Sequence, residues 1–136
     1  MKTKTVKPVK KKFPAPGHKR WVIPEGYIPK TSRGPKPAML SHEAACLLNA
    51  SGQDASVEIW IFYEDREPVG PYKIRVPARR TKHIRFTDLK DPARIPLGTD
   101  YASVIESDVP IVVQHTRLDS RQSANALMTT MAFPDI

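Results

Sequence analysis

Cysteine is almost absent from this chain of 136 residues, which contains only Cys46, in the segment EAACLLN. A single cysteine excludes an intramolecular disulfide and a zinc site built from paired cysteines. We interpret Cys46 as a small buried side chain, and the lack of disulfides predicts a cytoplasmic protein.

Long apolar runs are also missing. No stretch approaches the ~20 apolar residues that cross a bilayer, and the cationic N-terminal segment lacks the apolar region of a secretory signal. If the protein serves a membrane partner, we expect it to do so from solution.

The usual motifs of catalysis and cofactor binding are absent. There is no phosphate-binding loop and no dinucleotide fingerprint. His42, His83 and His115 lack the close spacing of paired metal ligands, and Ser120, in LDSRQ, does not lie in a nucleophile elbow. We therefore expect no cofactor, no metal and no catalytic residue, with hydrolase activity as the weakest alternative.

Positive charge is concentrated at the N-terminus. Residues 1–20 contain seven Lys, one Arg and no acidic residue, whereas residues 21–136 contain 14 basic and 14 acidic residues, so the net charge of +8 comes from this tail. Such a Lys- and Pro-rich segment is predicted to be disordered and separate from a domain at 21–136. It is either a solvated extension or a salt-sensitive arm for nucleic acid or an anionic membrane surface. The candidate nucleic-acid residues are Lys10, Lys11, Lys12, Lys19 and Arg20.

The remaining sequence is rich in short alternating segments that are typical of β-strands. The predicted strands are RWVIPEGYI, HEAACLLNA, ASVEIWIFYED, PYKIRVPA, TKHIRF, DYASVIES, PIVVQHTR and ALMTTMAF. Val57–Tyr63 is apolar on both faces, which favours a central strand or a subunit contact. SGQD, residues 51–54, is predicted as a hairpin turn. The fold class is therefore all-β, with about eight strands in a single antiparallel β-sandwich.

Polar residues follow a buried run in PIVVQHTRLD. In an extended strand, Ile111, Val113, His115, Arg117 and Asp119 share one face. We expect this face to lead from the core to a pocket or subunit boundary, with Asp119 or Glu43 pairing Arg117; a purely structural network is the alternative. The predicted pocket also includes residues of ARRTKH and LSHEA. The candidate ligand-binding residues are His42, Glu43, Arg79, Arg80, Lys82, His83, His115, Arg117, Asp119 and Arg121.

The chemistry of this set favours binding over catalysis. Arg and His donors suit a small anionic or sugar-like ligand, and Trp21 or Tyr27 could stack on a sugar ring.

Several segments resemble the sensory rhodopsin transducer family: WVIPEGYIP, SHEAACLLN, EPVGPY, VPARRTKHIRF, DYASVIESDVPIVVQHTRLDSRQ and ALMTTMAF. The resemblance implies a jelly-roll type of β-sandwich that forms a homotetramer. It also implies a soluble signal-transducing module that partners a membrane photoreceptor rhodopsin, without an enzymatic step, or that binds small molecules such as sugars. The alternative is a DNA-binding transcriptional regulator that uses the basic N-terminal arm.

Overall fold

Alternating buried and exposed side chains produce strands along almost the whole domain. The computed structural model describes residues 3–8 and 11–136. The strands are β1 (His18–Tyr27), β2 (His42–Asn49), β3 (Ala55–Phe62), β4 (Val69–Val76), β5 (Arg80–Arg85), β6 (Asp100–Asp119), β7 (Ala126–Met131) and β8 (Phe133–Pro134). A single 3₁₀ turn at Phe86–Asp88 follows β5. No helix in this described part is long and apolar enough to cross a membrane.

The long strand β6 joins two halves of the fold. Its first part pairs with β1 and β3, and its second part pairs with β2 and β7. Outside these, β4 pairs with β3, β8 with β1, and β5 with β2, and every pair is antiparallel. The eight strands thus form one connected antiparallel sheet, which confirms the predicted all-β class.

Apolar residues from both halves pack into one core. Ile59 of β3 and Ile105 of β6 come from the first half, and Leu47 of β2 and Val113 of β6 come from the second; all four are fully buried. Because one cluster contains residues from both halves, the sheet covers a single core between them. Val57–Tyr63 largely coincides with β3, which is a central strand between β4 and β6, as expected.

The predicted strands DYASVIES and PIVVQHTR are one continuous strand of 20 residues. Proline normally interrupts a central strand because it cannot donate to the ladder. Pro110, however, lies between Ser107, the last residue paired with β3, and Val112, the first paired with β2. The proline therefore falls where β6 changes neighbours.

The predicted hairpin at SGQD is wrong. β2 and β3 are not paired, since β2 lies between β5 and β6 and β3 lies between β4 and β6. The fully buried Asn49 organises the connection: its amide donates to the carbonyls of Gln53 at 2.7 Å and Val76 at 3.1 Å. The loop therefore crosses between the two halves of the sheet.

The first strand begins before the expected start of the domain at residue 21. β1 includes His18, Lys19 and Arg20, and His18 pairs with Ile111 of β6. Among the described residues before it, 3–8 and 11–16 contain no strand or helix. The disorder predicted for the tail remains a prediction.

Candidate binding site

A buried carboxylate, Glu43, lies at the centre of the polar residues on β2 and β6. The antiparallel register places Glu43 opposite Arg117 and Ala45 opposite His115. Glu43 Oε1 accepts hydrogen bonds from His115 Nε2 and Arg117 Nε, each at 2.9 Å, and Oε2 accepts one from the Tyr27 backbone N–H at 2.6 Å. Three donors, one from β1 and two from β6, thus converge on one carboxylate of β2.

The surroundings of Glu43 favour its ionised form. Burial raises the pKa of Glu43, but the hydrogen bond from His115 and the positive charge of Arg117 outweigh it, so the pKa lies below its ordinary value. A buried carboxylate is tolerated only when it is paired and hydrogen-bonded in this way. Glu43 is therefore an anion at neutral pH and holds Arg117 in place.

Gly26 gives the backbone close access to this carboxylate. A Cβ atom at position 26 would lie 2.5 Å from the ring of Tyr101 and 2.8 Å from Glu43 Oε2, so no larger residue fits without a shift. Burial, together with the negative charge of Glu43, raises the pKa of Tyr101, which keeps its phenol neutral.

Arg117 links the buried carboxylate to an open cavity. Its Nη2 donates to Glu25 Oε2 at 2.8 Å, while its Nε is held by Glu43. The cavity has a volume of about 330 Å³, within the usual range for small-molecule sites. Its lining residues are Glu25, Tyr27, Pro29, Asp100, Arg117, Asp119 and Arg121.

The charges that line the cavity are largely paired with one another. Arg121 Nη2 lies 2.7 Å from Asp119 Oδ2, and the Arg121 guanidinium lies 5.8 Å from the centre of the Tyr27 ring. Three carboxylates face two guanidinium groups, so the cavity is not cationic. This balance favours a ligand with hydroxyl groups over a simple anion, because hydroxyls both donate to carboxylates and accept from guanidinium groups.

The structure brings together five of the ten predicted ligand-binding residues. His115, Arg117 and Glu43 form the buried network, and Arg117, Asp119 and Arg121 line the cavity. Glu43 was one of two expected partners of Arg117; the other, Asp119, pairs with Arg121 instead.

The β5 candidates do not share this cavity, contrary to the expected common pocket. Arg80 pairs with Asn49, at the opposite end of β2 from Glu43, and Lys82 pairs with Leu47. His83 pairs with Cys46, whereas His115 pairs with Ala45, so the two histidines lie on opposite faces of the sheet. The antiparallel register and strand parity together separate the β5 candidates from the residues around Glu43. Arg79 is exposed in the turn before β5.

His42 and His83 instead line a depression of about 490 Å³ on the outer face, together with Cys46 and Thr116. His42 Nδ1 lies 2.7 Å from the Leu40 carbonyl oxygen. Cys46 is half-buried rather than fully buried, and burial raises the pKa of its thiol. Within the described residues, no group of three or more side chains could hold a metal ion.

Trp21, one of the two aromatic residues proposed for stacking, is buried, and its indole N–H contacts the Ile111 carbonyl at 3.0 Å. It therefore belongs to the core, and Tyr27 is the aromatic residue of the cavity. Asp100 was not predicted. Its position follows from the β1–β6 register, which places it opposite Tyr27.

The basic candidates of the N-terminal segment are dispersed. Lys10 lies outside the described residues. Lys11 and Lys12 are exposed before β1, and Lys19 and Arg20 are exposed within it. Arg20 Nε lies 3.4 Å from Asp135 Oδ2, so its charge is partly balanced.

Taken together, the fold and the site define a small antiparallel β-domain with an open polar cavity supported by a buried ion-pair network. The chain belongs to the family described as Anabaena sensory rhodopsin transducer, whose sequence pattern matches residues 16–134.

Among the solved structures similar to this chain, two match it over most of the domain. The structure titled "Anabaena sensory rhodopsin transducer" shares 62% identity, covers 76% of this chain and 100% of its own, and gives a TM-score of 0.71. A second, titled "Crystal Structure of Thermotoga maritima 1070", shares 33% identity, covers 88% of this chain and 96% of its own, and gives a TM-score of 0.76. No curated protein sequence matches this chain significantly.

Proposed function

We propose that this protein is a cytoplasmic signal-transducing module that acts by binding a sensory-rhodopsin-type photoreceptor in the membrane, without an enzymatic step. The observation that carries the proposal is the 62% identity to a chain named as a sensory rhodopsin transducer, over the whole length of that chain. At this identity a shared mode of action is a better explanation than a shared fold alone.

The proposal is tested by titrating the protein into lipid nanodiscs with and without a sensory rhodopsin from the same genome. Zwitterionic lipid is used so that the basic tail gains no attraction from the bilayer itself. We expect saturable heat release in calorimetry only with the rhodopsin-containing discs. Identical signals from loaded and empty discs would reject the photoreceptor as a partner.

A second candidate function is the binding of a small polyhydroxylated ligand in the cavity. Within the described residues, the Asp100 carboxylate accepts no hydrogen bond, and Glu25 uses one oxygen for Arg117. Sugar hydroxyls would satisfy these acceptors, and the Tyr27 ring offers a stacking surface. Because Arg117 and Arg121 are already paired with carboxylates, a simple anion gains less here.

A thermal-shift screen distinguishes these ligand classes, because a compound that binds the native state raises its melting temperature. We expect sugars and polyols to stabilise the protein more than small carboxylates or sugar phosphates do. Stabilisation should disappear in Asp100→Ala and persist in Glu67→Ala, an exposed acid in the β3–β4 loop. Hits that survive Asp100→Ala would place the ligand elsewhere.

We also propose that the chain assembles into a homotetramer through the second half of the sheet. All six residues of β7 are exposed. They include Leu127 at 72% and Met131 at 54%, and Leu48 of β2, on the other side of β6, is 41% exposed. Apolar side chains grouped on one sheet face mark an interaction surface, and symmetric assembly would cover them.

A further inference from the structure

Lys and Arg residues are concentrated on β4 and β5, which lie at the edges of the two halves of the sheet. Residues 68–87 contain six Lys or Arg and no acidic residue. They form β4, at one end of the first half of the sheet, and β5, which pairs only with β2 in the second half. Lys82 Nζ on β5 donates to the Arg75 carbonyl on β4 at 3.3 Å, so the two edges are adjacent. We call Arg79, Arg80 and Lys82 the basic edge.

The three residues of the basic edge lie close together and have no carboxylate partner among the described residues. Arg75, next to it, pairs with Asp54, and the cavity residues Arg117 and Arg121 are also paired. Arg79, Arg80 and Lys82 are all exposed, and no carboxylate of the described chain forms a salt bridge with them. Three neighbouring positive charges are therefore uncompensated within the domain.

Arg79 has a backbone conformation that arginine does not favour. Its φ of 54° lies in the left-handed region, where glycine is the least strained residue. The Arg79 N–H donates to the Ser51 carbonyl at 3.0 Å, which holds the turn in this conformation. Its side chain is exposed, so the fold itself gives no reason for an arginine here. An exposed arginine at a strained backbone position supports a role for its side chain beyond folding.

We propose that the basic edge docks on the anionic headgroups of a phospholipid bilayer and so orients the protein at the membrane. The proposal rests on the proposed function in one respect, namely that the receptor lies in a membrane. The cytoplasmic leaflet is negatively charged and attracts Lys and Arg within a short distance of its surface. An extended anionic surface can compensate three exposed cations at once, and the membrane location of the receptor favours lipid over nucleic acid.

The test measures binding of the full-length protein to vesicles of phosphatidylcholine containing roughly a quarter phosphatidylserine, a typical anionic composition. We expect the triple variant Arg79→Gln, Arg80→Gln, Lys82→Gln to bind about 100-fold more weakly, at roughly fivefold per cation. The matched control is Lys30→Gln, Arg33→Gln, Lys36→Gln, which removes the same charge from the exposed loop before β2. We expect it to lose less than about threefold.

The variant Arg79→Gly distinguishes the effect of the arginine side chain on membrane binding from its effect on folding. Glycine suits the left-handed backbone, so we expect an equal or higher melting temperature together with roughly fivefold weaker vesicle binding. Equal losses in both triple variants would overturn the proposal, since only total charge would then matter. A triple variant that loses duplex DNA binding but keeps vesicle binding would overturn it in favour of nucleic acid. Because the vesicles contain no rhodopsin, the outcome is independent of the photoreceptor test.

Discussion

At the scale of single residues, we expect the stability of the fold to depend on the ionised state of Glu43. Its carboxylate is fully buried, is hydrogen-bonded to His115 and forms a salt bridge with Arg117. Since the pKa of Glu43 is lower in the folded protein than the 4.5 of an unperturbed Glu, its ionisation stabilises the fold above that pH. The stabilisation is lost as the pH falls through the lower, folded-state pKa.

Glu43→Gln should therefore cost about 2–4 kcal/mol at neutral pH, because it leaves Arg117 and His115 without their anionic partner. Its free energy of unfolding should also depend less on pH in the acid range than that of the wild type. Urea denaturation across pH 3.5–7 measures both effects, a range that spans the ordinary Glu titration.

The control for Glu43 is Glu25→Gln, which removes the other carboxylate partner of Arg117. Glu25 is 66% exposed, so its loss should cost less than about 1 kcal/mol. If both variants lost the same stability, burial would not be the reason for the importance of Glu43.

Strand parity predicted part of the site from local sequence. Ile111 and Val113 are fully buried, His115 is 5% exposed and Arg117 is half-buried, which confirms the predicted change from core to surface along one face. Asp100 could not be placed in the same way. It reaches the cavity through the pairing of β1 with β6, and no local pattern specifies which distant strands become neighbours.

At the scale of secondary-structure elements, the side-chain amide of Asn49 makes most of the side-chain hydrogen bonds of the loop after β2. Asn49 contacts backbone carbonyls of the loop and of β4, and its Oδ1 accepts hydrogen bonds from the N–H and hydroxyl of Ser51. The segment SGQD resembles a hairpin turn because the same residue types occur in tight turns and in loops that connect unpaired strands. In the structure, the buried Asn49 instead provides hydrogen bonds for a loop that runs from one half of the sheet to the other.

Asn49→Ala should destabilise the fold by about 2–3 kcal/mol, because it leaves buried backbone groups without partners. Chemical denaturation is the measurement. Gln53→Ala is the matched control, since Gln53 contributes only backbone groups to this network and should change stability by less than about 0.5 kcal/mol. A loss below about 0.5 kcal/mol in Asn49→Ala as well would show that the loop is held by other contacts.

The continuity of β6 is not apparent from the local sequence. Strand positions follow from alternation, but Asp108, Val109 and Pro110 are typical of a break between strands. The structure continues through them, because β6 exchanges one pair of neighbours for another at this point. Sequence signals describe the local chain, whereas continuity of a strand depends on its partners.

At the scale of the whole molecule, the proposed tetramer predicts a mass of four times 15.3 kDa in light scattering at micromolar concentration. Leu127→Lys with Met131→Lys should reduce the mass and leave the domain folded, because both side chains are exposed in the isolated chain. Val6→Lys, at an 86% exposed position in the tail, is the control and should keep the wild-type mass. A wild-type mass near 15.3 kDa would contradict the tetramer.

The N-terminal segment is predicted to be separable from the domain. Deletion of residues 2–16, which precede β1, should change stability by less than about 1 kcal/mol in thermal unfolding. If the protein binds DNA through this arm, the deletion should also weaken binding and flatten its dependence on salt. An unchanged salt dependence would argue against the arm as a DNA-binding surface.

The proposed function requires that the protein carry a signal by binding a photoreceptor. A transducer must distinguish two receptor states, because a partner that binds both equally transmits nothing. The most direct measurement is the Kd of the wild-type protein for rhodopsin-containing zwitterionic nanodiscs, in the dark and under continuous illumination at one temperature. We expect illumination to change the Kd by at least about threefold; an identical Kd in the dark and in the light would show that the protein does not transmit the state of the photoreceptor.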